Sequence, residues 1–173
     1  MSLKELTADK HTEAENTPFM KTVIAGNISK ELWADFTYQK QLVYNAIEGA
    51  AGALGITKDL PDVQRCFYLA EDFREMNVDG IKYRQEAIDY YHYILSIAKD
   101  HDKVLAHLYV WHMGDLFGGQ MIKTIVDAPH RALDFKDAGA LRTAFRAKLD
   151  DRLGDEANVA FDWAIKLMNS YDI

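Results

Sequence analysis

The segment Gly114-Asp115-Leu116-Phe117-Gly118-Gly119-Gln120 puts three of the chain's ten glycines into a stretch whose flanks favour a helix. Each glycine in a helix interior costs about 1 kcal/mol relative to alanine, so the concentration needs an offsetting gain. Without a Cβ, a kinked backbone can approach a flat ligand closely. A helix break or a tight helix crossing accounts for the same glycines equally well. Asp115 adds a carboxylate to an otherwise apolar run, and it must be solvated or hydrogen-bonded.

His11, within Lys10-His11-Thr12-Glu13-Ala14-Glu15-Asn16, shares a helical face with Leu3, Thr7 and Ala14. A neutral imidazole facing a cavity makes an axial ligand for iron. Glu15, one turn later, can reach its other ring nitrogen or an ordered water. A surface or satisfied core histidine is the plainer alternative. Arg142 and Arg146, one turn apart, form with Lys4 a candidate cationic patch. Arginine is well shaped to grip paired carboxylates, and a solvated face is the plainer alternative. His107 and His112 point about 140° apart on an ideal helix and make a poor chelating pair. No H-E-x-x-H, di-iron, P-loop or dinucleotide motif occurs.

Helices must position these residues. The chain has 173 residues, enough for one domain with a real core, and 49% apolar with 27% charged residues is a globular composition. A net charge of -7 disfavours general nucleic-acid binding. The single cysteine, Cys66, excludes an intrachain disulfide and a thiolate-rich metal site. No hydrophobic signal segment and no membrane-length apolar run is present, so a soluble, cytoplasmic protein without a membrane partner is expected.

Only three prolines interrupt the chain, and no hairpin turn separates alternating runs. The expectation is all-α, with seven or eight helices. Ser2 and Glu5 form a capping-box pattern opening a helix to about Asn16. Thr17-Pro18 starts a short helix through Ala25. Ser29 caps a long one carrying Leu32, Phe36, Val43 and Ile47. Gly49, Gly52 and Gly55 near its end suggest close helix contact. One or two short helices fall in Pro61–Asn77, another in Ile81–Lys99 with a set of core tyrosines. Asp102–Asp127 reads as the longest helical segment. Asp137–Leu153 and Asp155–Tyr171 complete the set.

Taken together, these residues resemble the heme oxygenase family. HTEAENTPFMK (His11–Lys21) looks like that family's proximal-helix motif, and GDLFGGQMIK (Gly114–Lys123) is similar to its distal motif, usually GDLSGGQ. The resemblance runs from about Leu3 to Met168. The chain is short for the family and lacks its C-terminal extension, which suits the soluble bacterial or cyanobacterial type, a compact phage-borne copy included. The implied architecture is one heme oxygenase-like domain over residues 1–173, a helical bundle with heme between a proximal and a kinked distal helix.

The resemblance implies roles by position. His11 matches the axial ligand of heme iron, and Glu15 the residue contacting it. Gly114 and Gly118 match distal glycines lying against the macrocycle, with Gly119 beside them. Asp115 matches the aspartate that organises distal water. Lys4, Arg142 and Arg146 match positions holding the propionates, Tyr109 a tyrosine near one of them, and Phe161 an aromatic wall residue. Three departures stand out: Phe117 where the family has Ser, Trp111 where it often has Arg, and Ala8 where it often has Lys.

The implied activity is opening of heme, as cofactor and substrate, to biliverdin, carbon monoxide and ferrous iron with O2. No flavin or nicotinamide motif is visible, so electrons come from outside, by resemblance from a ferredoxin. A bilin reductase is a further implied partner. An acidic ferredoxin meeting an acidic chain needs a local basic face, for which Lys4, Arg142 and Arg146 are candidates. A heme-binding or sequestering helical protein without turnover is the alternative, and Phe117 and Trp111 give it weight. A helical interaction domain without heme is a third reading.

Overall fold

Helices begin where the sequence supplies caps. In the computed structural model, which describes residues 1–173, Ser2 and Glu5 form both halves of the capping box that opens α1 (Leu3–Leu6). Thr17 caps α3 (Pro18–Ile24) with proline in the first turn. Ser29 caps α4 (Lys30–Ala53). The expected first helix is interrupted at Thr7, whose hydroxyl donates to the Leu3 carbonyl at 3.0 Å. The chain resumes as α2 (Ala8–Glu15). A threonine that bonds back to the preceding turn favours such a bend.

The remaining α-helices are α5 (Cys66–Met76), α6 (Gln85–Ser96), α7 (His101–Leu108), α8 (Gly114–Leu116), α9 (Gly118–Ile125), α10 (Ala138–Arg146) and α11 (Gly154–Asn169), and there is no strand. The fold is the all-α class expected. The longest unbroken helix is α4, because the Asp102–Asp127 stretch is divided into α7, a π-helical turn over Tyr109–Met113, α8 and α9. The helix expected over Asp137–Leu153 stops at Arg146 and resumes as a short 3-10 turn at Asp151–Leu153.

The glycines at the end of α4 do not mediate helix contact. Gly49 and Gly52 are exposed, with no atom nearer than 4.0 Å to where a Cβ would sit. Gly55 ends the helix in the left-handed region at φ +75°, a conformation glycine adopts without strain.

Two helices organise the core. α4 packs against α5, α6 and α7, and α11 packs against α2, α3, α6, α7 and the π turn. Val43, Tyr44, Ile47 and Ala51 of α4 are fully buried. Arg65 is also fully buried. Its guanidinium lies between Tyr68 and Phe135, donates to Asp62 and to backbone carbonyls, and so meets the bonding demands of a buried charge. No helix is long and apolar enough to cross a membrane.

Candidate heme site

The expected proximal residues lie on α2 and on α11, which packs against it. Lys10 of α2 pairs with Asp162 of α11 at 2.7 Å across their surface. His11 is then left on an exposed face, with 59% of its side chain accessible. Glu15 comes within 3.4 Å of its Nε2. Phe161 packs edge-on at 5.9 Å between ring centroids. The structure thus gathers His11, Glu15 and Phe161 into one cluster. No fold-stabilising hydrogen bond occupies the imidazole.

The distal segment bends, but not by the glycines' own dihedrals. Gly114 is helical at φ −57°. The ladder is disturbed by the π turn before it and broken at Phe117, with φ −108° and ψ −82°. A π turn inserts one residue into the helical ladder and re-aims the side chains beyond it. Gly114 and Gly118 are exposed, and a Cβ at either would meet nothing within 4 Å. Gly119 lies on the other side. It is buried, and a Cβ there would sit 2.8 Å from Leu133, so its smallness serves packing rather than the open face.

Asp115 is buried beneath that face. Tyr44 donates to its Oδ2 at 2.6 Å and Lys40 to its Oδ1 at 3.0 Å. Burial, and then the Asp115 charge, push the Tyr44 phenol well above its usual value of 10, so it remains a donor. Neither Lys40 nor Tyr44 stands out in the sequence. Their signal is a polar pair one turn apart on the buried face of α4.

A second buried network supports the π turn. Trp111 Nε1 donates to the Tyr90 hydroxyl at 2.9 Å. Tyr90 lies 2.6 Å from His107 Nδ1, and His107 Nε2 lies 3.1 Å from Glu156. Burial holds His107 below its ordinary 6.5 despite Glu156, so the neutral ring accepts from Tyr90 and donates to Glu156. Burial opposes ionisation of Glu156, but bonds from His107 and Tyr93 outweigh it and lower its pKa. His112 Nε2 meets Glu48 at 2.7 Å. The two histidines, a poor chelating pair by spacing, are thus engaged with separate carboxylates.

Two contacts tie proximal and distal elements to the rim. Thr7, at the bend before α2, neighbours half-buried Tyr109. The Arg142 guanidinium sits 5.6 Å from the Phe117 ring centroid. Lys4, Arg142 and Arg146 form no ion pair with any carboxylate. α11 packs against both α2, which carries His11, and the π turn that precedes the distal glycines. A separate cavity of about 610 Å³, bordered by Lys30, Glu75 and His130, contains none of the expected site residues.

The heme oxygenase sequence profile matches residues 1–170. The chain belongs to the heme oxygenase family. Heme oxygenase 1 of Synechocystis is 26% identical over 205 residues, covering 98% of this chain and 83% of the relative. Heme oxygenase 2 of Macaca fascicularis is 27% identical over 210 residues, covering 98% of this chain. The chain spans 64% of the length of that mammalian relative. The crystal structure of cyanobacterial Synechocystis heme oxygenase-1 in complex with heme superposes with a TM-score of 0.84 at 24% identity, covering 97% of this chain and 89% of that one. Synechocystis heme oxygenase-2 in complex with heme and NO gives 0.83 at 26% identity, covering 96% and 82%. The heme oxygenase fold is therefore the architecture that carries His11, Asp115 and the open glycines.

Proposed function

We propose that this chain is a heme oxygenase that opens heme to biliverdin, carbon monoxide and ferrous iron, using O2 and electrons from a ferredoxin. Two observations support the reading. An exposed imidazole has Glu15, 3.4 Å from its Nε2, as its one polar side-chain partner, and a bent segment presents Gly114 and Gly118 to open space. These residues fit a flat, iron-centred group. Bound heme supplies both the redox-active iron and the carbon skeleton that is opened.

The protein's part is orientation and proton placement. His11 would hold the iron through one ring nitrogen, with Glu15, now 3.4 Å from Nε2, positioned to engage the other. Phe161 limits rotation of the imidazole. Gly114 and Gly118 admit the macrocycle on the distal side. Asp115, with lone pairs left after Lys40 and Tyr44 have bonded, holds water and passes protons to the distal side. The unpaired cations Lys4, Arg142 and Arg146, with Tyr109, take the propionates, and the same rim attracts an acidic electron donor.

A heme titration followed by addition of ferredoxin, its reductase and NADPH tests this. Loss of the Soret band with growth of bilin absorbance is the expected result. A stable ferric spectrum would identify a heme carrier instead. Absence of any Soret shift would reject heme altogether.

A further inference from the structure

Between Val104 and Ile122 the only Asp, Glu, Lys or Arg is Asp115. Its side chain is 8% exposed. A carboxylate so far withdrawn from water requires a countercharge and hydrogen bonds. Trp111, one of the departures from the family pattern, cannot supply the charge, and its indole N–H goes to Tyr90. The cation comes from another helix. Lys40 of α4, itself 13% exposed, places Nζ 3.0 Å from Asp115 Oδ1 and 5.1 Å from the centre of the Tyr44 ring. Lys40 and Tyr44 are one turn apart and grip the two carboxylate oxygens from one face of α4.

We propose that Lys40 is a positioning residue of the distal site. It balances the charge of Asp115 and holds its carboxylate in a single orientation. The role deepens the heme oxygenase reading above and rests on it. With both oxygens anchored, the remaining lone pairs of Asp115 have fixed directions, and water bound there has a fixed place. Lys40 commits one N–H to Asp115, leaving two further donors, one of which can serve the same water. A cation on α4 thereby does for the buried carboxylate what one on the distal helix would do.

The test compares the parent with Lys40→Met, Lys40→Arg, Asp115→Asn and the Lys40→Met/Asp115→Asn double variant. Lys40→Met is expected to lower bilin formation about tenfold while heme affinity changes less than about threefold. Lys40→Arg recovers most of the rate. In the Asp115→Asn background, Lys40→Met adds little. In the heme-free protein, urea unfolding of the four forms of the cycle is non-additive, a readout independent of turnover. Parent-like turnover in Lys40→Met, or its full loss repeated in the Asp115→Asn background, overturns the role of Lys40 alone. A parent that binds heme but never consumes it overturns the enzymatic reading, and this role with it.

Discussion

Tyr44 and Asp115, 71 residues apart in sequence, meet through a buried 2.6 Å hydrogen bond in which the phenol donates to the carboxylate. Removing the hydroxyl leaves a buried charged acceptor short of one donor. Tyr44→Phe should therefore cost about 1–3 kcal/mol of stability, measured by urea unfolding of the heme-free protein. A loss below about 0.5 kcal/mol would show that water readily replaces the phenol.

His11 separates binding from folding. Its side chain is largely exposed, so His11→Ala should change unfolding free energy by no more than about 0.5 kcal/mol. The same variant should lose the parent's ferric heme spectrum, and added imidazole should restore it. A variant that kept the parent spectrum would remove His11 from the proximal role.

The distal glycines should divide into two kinds. Gly118→Ala meets open space at an ordinary helical backbone, so the heme-free protein should gain up to about 1 kcal/mol while heme binding weakens. Gly119→Ala brings a methyl 2.8 Å from Leu133 and should be less stable than Gly118→Ala by about 1 kcal/mol or more. Thermal unfolding and heme titration on both variants check the contrast. Equal heme affinities for parent and Gly118→Ala would contradict an open face reserved for the macrocycle.

Acid should act through His107. Its folded pKa lies below the ordinary 6.5 because of burial, so in acid the unfolded chain binds a proton before the folded one. Stability is whole above 6.5 and falls with pH below it until the folded pKa is passed. The groups facing the ring are Tyr90, Tyr93 and Glu156, with Lys103 4.0 Å from Glu156. Urea unfolding from pH 7 to pH 5 should show this decline, and His107→Gln should flatten it. An unchanged slope in the variant would assign the decline to other groups.

Local chemistry was legible in the sequence, and long-range chemistry was not. The caps at Ser2, Thr17 and Ser29 act within four residues, so their pattern alone locates helix starts. The reach of Glu15 to His11 follows from their one-turn spacing and Phe161 from family resemblance, and the fold places both beside His11. The bend at Thr7 and the π turn at Tyr109–Met113 depend on tertiary packing, which no helical periodicity encodes. Lys40, Tyr44, Glu48 and Glu156 carry no local signal because their partners lie on other helices. At Gly119 motif membership implies a ligand contact, and the fold adds a close approach to Leu133 that the motif does not encode.

The series from Trp111 through Tyr90 and His107 to Glu156 has a built-in polarity. An indole nitrogen only gives its hydrogen and never receives one, so every hydrogen along the series is aimed toward Glu156. A proton arriving at that outer carboxylate has no acceptor at the inner terminus. The series is consequently a brace that locks the rotation of the π turn.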